Sequence, residues 1–523
     1  MKPLVAEYLT ATAAQSPDAT ALIQGETRVS YEQLERDSSR FAAALQHAGL
    51  HKGDRVAIMA NNSIEMVVVL WAVLRAGGVF APVNPTTKAD KLAYLLDNCG
   101  VRFVVAERRM ARVVLPALAE APTVTTVLWI GGPPPSADGA GATRHLDYGA
   151  AVADEASVVA DPGLIDADLG GLLHTSGSTG RPKGVMLTQR NIAHNTWSIT
   201  TYLGLRPDDV IACLLPLSFN YGLFQVFTAA SVGCALVLEQ SFAYPLDVLA
   251  RLADTKVTIL PGVPTMFAVL LQLAPFDALD PPRDLSSVRM LTSAAAPLPP
   301  AHIHRLGKAF PDAQIVVMYG QTECTRISYL DPDRIFDKLE SVGKAIPNTE
   351  AYVVDEEGRR VGPGVVGELV VRGAHVMRGY WQRPDATSER LRDGELEGEK
   401  VLYTGDAFYA DEEGFLYFVS RRDDVFKCKG EKVSPKEIED VIYELEAVAE
   451  VAVIGVPDEI DGNAVEAYVA PRPGAELSPD VVRNHCRQRL ETYMVPRHVE
   501  VRAELPKTQS GKIRRAELLG ERS

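Results

Sequence analysis

The chain has 523 residues, 46% of them apolar and 23% charged, with a formal net charge of −15 at neutral pH. That length exceeds what one ordinary core organises, so two or more domains are expected, and the composition excludes a disordered, collagenous or disulfide-built protein. The acidic balance excludes nucleic acid and anionic membrane surfaces as partners, because both require clustered Lys and Arg.

The N-terminal segment MKPLVAEYLTATAAQSPDAT has no apolar stretch of signal-peptide length. The six cysteines, Cys99, Cys213, Cys234, Cys324, Cys428 and Cys486, are widely spread and form no CxxC pair, which predicts reduced packing thiols in a cytoplasmic protein. The β-branched run Arg55-Val56-Ala57-Ile58-Met59 predicts a strand, and Ile64 to Leu74 predicts a helix. The apolar part of that helix, Met66 to Leu74, ends at Arg75, well short of the roughly 20 residues that span a bilayer, so no membrane insertion is expected. Similar alternation continues along the chain and predicts α/β layers with parallel strands and crossover helices. Residues 131–142 are dense in Gly and Pro and read as an exposed loop.

Leu169 to Leu173 is an apolar run that leads into Thr175-Ser176-Gly177-Ser178-Thr179-Gly180-Arg181-Pro182-Lys183-Gly184, followed by Val185-Met186-Leu187. Glycines let backbone approach a polyphosphate, hydroxyls donate hydrogen bonds, and Lys183 supplies a mobile positive charge. The segment therefore suits the β and γ phosphates of ATP. It lacks the GxxxxGK[ST] spacing of a Walker loop and the G-x-S-x-G elbow of serine hydrolases.

Further along come Met318-Tyr319-Gly320-Gln321-Thr322-Glu323, Val366-Gly367-Glu368-Leu369, Arg378-Gly379-Tyr380-Trp381, Pro384-Asp385-Ala386-Thr387 and Tyr403-Thr404-Gly405-Asp406. The 366–369 and 378–387 stretches read structurally as turns. Near residue 420 the texture changes: a turn at Glu412-Glu413-Gly414 and a strand from Phe415 to Val419 precede the charged run Ser420-Arg421-Arg422-Asp423-Asp424. A domain boundary is expected there. Ser434-Pro435-Lys436-Glu437-Ile438-Glu439 then reads as an N-capped helix start, and the chain closes on Leu505-Pro506-Lys507-Thr508-Gln509-Ser510-Gly511-Lys512-Ile513-Arg514-Arg515.

In this order, the loop at 175–184, YGQTE, GEL, GYW, PDAT, YTGD and PKTQSGKIRR resemble the signature motifs of the adenylate-forming superfamily. That superfamily includes acyl-CoA synthetases, stand-alone and peptide-synthetase adenylation enzymes and beetle luciferases. The resemblance implies a large N-terminal AMP-binding domain of layered α/β subdomains over residues 1–420, a hinge at 421–424, and a small mobile α+β C-terminal domain over 425–523. It implies activation of a carboxylic acid by ATP as an acyl-AMP with release of pyrophosphate, then transfer of the acyl group to a thiol. Thr175, Ser176, Gly177, Ser178, Thr179, Gly180 and Lys183 would bind the phosphates, Tyr319 the adenine and Asp406 the ribose. Arg421 would serve ribose and phosphate, although Ser420 replaces the family's usual Gly before it. Thr322 and Glu323 would serve the phosphate end, Glu323 holding Mg²⁺, and Lys512 would enter the site for adenylation. Asp423 matches the hinge, and Gly430 the loop that lines the thiol tunnel.

The same resemblance places the acyl pocket on Ser218 to Gly222, Gly262 to Thr265, Ser293 to Pro297 and the residues after Glu323. Phe219 stands at the position that gates the carboxylate, with Tyr221 and Val263 on the pocket wall. Asn220 stands where amino-acid-activating relatives carry an Asp, which argues against a simple amino acid as substrate. Ser293 belongs to the wall, and Ala294 and Ala295 replace a usual Gly-Gly and narrow it. Arg326 is read either as a partner for a distal carboxylate or, the preferred reading, as a member of a surface or structural ion pair. A small or medium acyl or aryl acid follows. His302 and His304 read as solvated and form no metal site.

The acceptor thiol is either CoA or the phosphopantetheine of a separate acyl or peptidyl carrier protein. Two rivals stand behind a ligase: a stand-alone amino-acid adenylation enzyme loading a carrier protein, and a luciferase-type oxidoreductase using the same adenylate.

Overall fold

The run Met66–Leu74 is apolar on every face, and the helix that carries it, Ile64–Arg75, is buried on every face. It lies between two large sheets, where Trp71 meets Phe227 of helix Asn220–Val232 edge-on at 5.5 Å between ring centroids. The computed structural model describes the chain except residues 1, 136–142, 155–157, 176–181, 297, 299, 422–425, 434, 473, 507–517 and 519–523.

Among the described residues one sheet has nine strands, ordered Lys344–Ala345, Ser328–Tyr329, Gln314–Tyr319, Met290–Ser293, Ile259–Gly262, Val210–Cys213, Ala235–Leu238, Thr20–Gln24 and Thr27–Ser30. Its middle, from Gln314–Tyr319 to Thr20–Gln24, is parallel. The other large sheet has eight strands and runs from Gly379–Tyr380 through Lys183–Thr188, Leu169–Thr175, Val79–Pro82 and Arg55–Met59 to Arg144–Asp147. Parallel strands buried on both faces explain why the sequence reads as short Val/Ile/Leu runs rather than as alternation. A five-stranded sheet follows, in which Lys400–Ala410 pairs with Gly367–Gly373 on one side and Leu416–Arg421 on the other.

From Phe426 onward the chain builds a separate core around Val433, Ile438, Val453, Val469 and Val482. There Val448–Asp458 and Gly462–Pro471 pair antiparallel, His498–Val501 joins in parallel, and helices Pro435–Tyr443 and Pro479–Arg489 cover the sheet. The predicted strand at 415–419 is observed as Leu416–Arg421, and the helix read from Ser434 as Pro435–Tyr443. All six cysteines are buried and free. No helix among the described residues is long and apolar enough to cross a membrane.

The two large sheets are stitched at the crevice between them by one side chain. Asn62 Nδ2 donates to the carbonyls of Leu215 and Glu239, both at 2.9 Å, and Asn62 Oδ1 accepts from Leu217 N at 2.9 Å. It sits just before Ser63, which caps helix Ile64–Arg75, and it fixes the approach to Ser218 and Phe219. Asn62→Ala leaves buried backbone groups without partners, so the unfolding free energy falls by roughly 2–4 kcal/mol in a denaturant titration. Acid-dependent turnover falls with it.

Candidate active site

Strand Leu169–Thr175 enters the predicted phosphate loop and strand Lys183–Thr188 returns antiparallel, with Thr175 opposite Lys183. Ser176, Gly177, Ser178, Thr179 and Gly180 lie outside the described residues. The short strand Gly379–Tyr380 adds to the far edge of Lys183–Thr188, pairing Tyr380 with Val185. Within the stretch 378–381, read as a turn, Gly379–Tyr380 is therefore a ladder strand, and the pairing brings Tyr380 beside Lys183. Lys183 Nζ sits 5.2 Å from the centre of the Tyr380 ring, and Tyr380 Oη donates to Glu323 Oε1 at 2.7 Å. Burial, helped by the nearby Arg390, lowers the Lys183 pKa from its ordinary value, while Glu323 opposes that shift.

The other end of the same segment holds a second cluster. Tyr319 Oη donates to Asp406 Oδ2, and Gln321 Nε2 donates to the same oxygen at 2.7 Å and to Thr404 O at 3.0 Å. Glu368 Oε1 accepts from Gly405 N at 2.9 Å, so the GEL motif, also read as a turn, is a buried brace for the TGD loop. Gly405 has φ +70°, and a Cβ there would collide with the Arg390 guanidinium, which leaves glycine as the residue that fits. Asp406 lies opposite Arg421 in the backbone ladder of strands Lys400–Ala410 and Leu416–Arg421.

Between these clusters Thr175, Ser218, Phe219 and Thr322 line a cavity closed on its other side by Glu431, Glu437, Glu491 and Tyr493 of the C-terminal region. Lys91 pins that closure, with Nζ 2.7 Å from Glu437 Oε1 and 3.1 Å from Glu491 Oε1. Burial disfavours its charge, but the two carboxylates outweigh burial and raise its pKa. Gly430 at φ +79° packs on Val263, a Cβ there lying 3.3 Å from the valine methyls. His174 faces the same cavity, and burial, with Lys91 close by, lowers its pKa to about 4, so it is neutral at physiological pH.

Of the remaining residues expected to form the acyl pocket, Asn220, Tyr221, Ser293, Ala294 and Arg326 are buried and Ala295 is half-buried. Asn220 opens helix Asn220–Val232, and Tyr221 Oη bonds to Thr292 O at 2.8 Å. Ser293 is buried with no hydrogen-bond partner for Oγ among the described residues, Ala294 is buried beside it, and Ala295 has φ +80°. The Ala-for-Gly exchange thus sits where glycine is favoured and stores strain. Arg326 is buried and forms no ion pair among the described residues, which corrects the structural ion-pair reading. Its guanidinium lies 4.5 Å from the Tyr221 ring centre instead. His302 is half-buried with a partnerless Nδ1, not solvated, while His304 is exposed and stacks on Phe336 at 5.7 Å. Among the described residues no group of three or more His, Cys, Asp or Glu could hold a metal. Asp423 and Lys512 lie outside the described residues, as does the expected hinge 421–424 from residue 422 onward.

Sequence reasoning missed Lys91, Gln321, Glu368, Tyr380 and Arg390. Glu368 and Tyr380 stood in recognised motifs and had a signal; Lys91 had none, because its partners lie more than three hundred residues away.

The AMP-binding enzyme family matches residues 9–381, and the AMP-binding enzyme C-terminal domain matches residues 437–512. The chain belongs to the AMP-binding enzymes. It is 34% identical over 535 residues to the long-chain-fatty-acid–CoA ligase of Salmonella typhimurium, covering 96% of this chain and 92% of that one. It is 34% identical over 511 residues to the feruloyl-CoA synthase of an Amycolatopsis species, covering 97% and 96%. A double mutant of the o-succinylbenzoate CoA synthetase of Bacillus subtilis bound to its product analogue is 27% identical and superposes with a TM-score of 0.83, covering 99% of this chain and 98% of that one. The same synthetase in complex with AMP has 27% identity, equal coverage of 99% and 98%, and a TM-score of 0.69. Membership makes the chain an AMP-forming acid–thiol ligase: ATP activates a carboxylic acid as acyl-AMP, and the acyl group passes to CoA.

Tyr380→Phe keeps the ring beside Lys183 but removes the donor to Glu323. A hydrogen bond to a charged group is worth about 1.5–3 kcal/mol. Pyrophosphate release at limiting ATP and magnesium therefore falls roughly 10- to 100-fold, with the amount of folded protein unchanged.

Proposed function

We propose that this AMP-binding enzyme is a cytoplasmic acyl-CoA ligase for a small or medium acyl or aryl acid, and that its two half-reactions use alternate placements of a C-terminal domain. The observation that carries the reading is the convergence of three chemistries on one segment. Tyr319 and Gln321 reach Asp406, Glu323 reaches Tyr380 beside Lys183, and Thr322 shares a cavity with Phe219.

A carboxylate is a poor acyl donor because oxide would have to leave. In the first half-reaction its oxygen attacks the α-phosphorus of ATP in line, the bond to the bridging oxygen breaks, and pyrophosphate departs. Such a step needs positioning and charge neutralisation more than proton transfer. Asp406 accepts the ribose hydroxyls, Lys183 and the 175–180 loop hold the departing phosphates, and Lys512 neutralises charge at the phosphorus. Glu323 suits Mg²⁺: it is a single buried carboxylate at the phosphate end, and Mg²⁺ takes one or two carboxylates plus phosphate oxygens and water. The ion would supply charge neutralisation there. In the second half-reaction the CoA sulfur attacks the acyl carbon and AMP leaves.

We assign the closed arrangement to this second half-reaction, with residues 1–420 and 425–523 as the two bodies and Asp423 as the pivot. Gly430 against Val263, the Lys91 ion pairs, and the higher score against the product-analogue complex than against the AMP complex support the assignment. CoA is the acceptor in the named relatives, and a carrier protein finds no support among them.

Two variants separate the half-reactions. Lys512→Ala lowers acid-dependent pyrophosphate release by several orders of magnitude, because a charge aimed at the reacting phosphoryl group is lost, while thioester formation from supplied acyl-AMP is largely retained. Lys91→Met leaves Glu437 and Glu491 buried without their cation, a loss of roughly 3–5 kcal/mol for the closed arrangement. It slows thioester formation from acyl-AMP and spares pyrophosphate release. Equal loss of both steps in either variant would contradict the assignment.

A further inference from the structure

Arg326 is 4% exposed, yet no carboxylate pairs with it among the described residues. Its Nη1 donates to Thr325 O at 2.9 Å, its face lies over the Tyr221 ring and it hydrogen-bonds the uncharged hydroxyl of Tyr202, while Nε has no partner. Desolvating a guanidinium costs several kcal/mol, and a cation–π contact returns only about 2. The charge is thus left under-compensated in the structure as it stands.

A second unsatisfied group faces the same space. Gln225 is 5% exposed, and neither its Oε1 nor its Nε2 has a hydrogen-bond partner. It follows Tyr221 by one helical turn, so both project from the same side of helix Asn220–Val232. Arg326, Gln225 and Tyr221 line a small cavity whose other walls include Ile199, Ile259 and Met318. An apolar chamber with a buried cation and an unpaired amide at one end is a built recognition site, because buried polar groups are otherwise satisfied.

The backbone aims Arg326 there at a cost. Thr325, β-branched and fully buried, has φ +64°, a conformation worth roughly 1–3 kcal/mol of strain. A Cβ on Gly320 would collide with the Thr325 carbonyl, so the turn is locked from both sides. After Thr325 the chain reverses, and Ile327 N bonds back to Tyr319 O at 2.8 Å. The strained residue separates Thr322 and Glu323, at the reacting end, from Arg326, in the chamber.

We propose that Arg326 and Gln225 bind a second carboxylate on the substrate, so that the acid activated is a short dicarboxylic acid taken up as its dianion. This rests on the acid-activating reading above and names its substrate class. Phe219, at the cavity where the reacting carboxylate is placed, caps the helix that carries Gln225 in the chamber. The first carboxylate becomes the adenylate and then the thioester, while the second stays ionised and unreacted beneath Arg326.

The test measures pyrophosphate release and CoA thioester formation with linear diacids from succinate to suberate, each against its monomethyl ester and the monocarboxylic acid of equal length. A site built around a substrate polar group rejects the analogue that lacks it strongly, so wild type prefers one diacid over both analogues by roughly 100-fold or more in kcat/KM. Arg326→Met abolishes that preference by loss of diacid turnover alone, keeps turnover of the monocarboxylic acid, and melts at the same or a higher temperature, because an unpaired buried charge has been removed. Gln225→Leu weakens the preference about 10-fold and raises the diacid KM. The proposal is overturned if wild type prefers the monocarboxylic acid or the ester, or if Arg326→Met loses all substrates equally or melts lower. Pyrophosphate release with some acids but no diacid sinks this proposal and leaves the ligase standing; release with no acid at all sinks both.

Discussion

The structure depends on one strained turn. Between Tyr319 and Arg326 the chain carries Tyr319 and Gln321, which reach Asp406, Glu323, which reaches Tyr380, and Arg326, which lines the chamber beside Tyr221. Gly320 permits the close approach, and Thr325 in the left-handed region completes the reversal. Thr325 N also bonds to Gln321 O at 2.6 Å, which tightens the turn on itself. A β-branched residue would leave that conformation if packing allowed, so the surrounding core over-determines it. Strand Gln314–Tyr319 on one side and strand Ser328–Tyr329 on the other clamp the two ends.

Everything else in the site is placed relative to that turn by sheet edges. Residues 183–188 and 379–380 bring Lys183 and Tyr380 to Glu323 through a ladder, and residues 367–373 and 400–410 bring Glu368 and Asp406 to Tyr319 through another. Groups carried on ladders are held in fixed register, and in-line phosphoryl transfer is sensitive to misplacements of about 1 Å. The C-terminal region is held differently. It meets the rest of the site through charge pairs at Lys91 and a glycine on Val263. A buried ion pair stabilises weakly but selects geometry strongly, because either partner left alone is costly.

Much of this was legible in the sequence, and for physical reasons. Lys183, Glu323 and Asp406 stand in contiguous motifs whose residue types are dictated by chemistry, so they could be named from the sequence, and the structure clusters Lys183 and Glu323 around Tyr380 and sets Asp406 against Tyr319. Glu368 and Tyr380 lay in the same motifs but read as turns, because a brace or an edge strand is defined by its partner and not by its own residues. Lys91 was invisible for the same reason at longer range. Arg326 was visible but misread: a buried arginine usually has an acid nearby, and only the packed chamber reveals that this one does not. The strain at Thr325 and Ala295 is likewise a property of φ, which the residue names do not carry.

The central claim is that an oxygen of the acid attacks the α-phosphorus of ATP at the site built on the 319–326 turn. It is tested most directly by running the reaction with acid labelled by oxygen-18 in its carboxylate and analysing AMP and pyrophosphate by mass spectrometry. The account predicts one labelled oxygen in each AMP formed and none in pyrophosphate. Label in phosphate or pyrophosphate, or AMP formed without label, would place the attack elsewhere and contradict it.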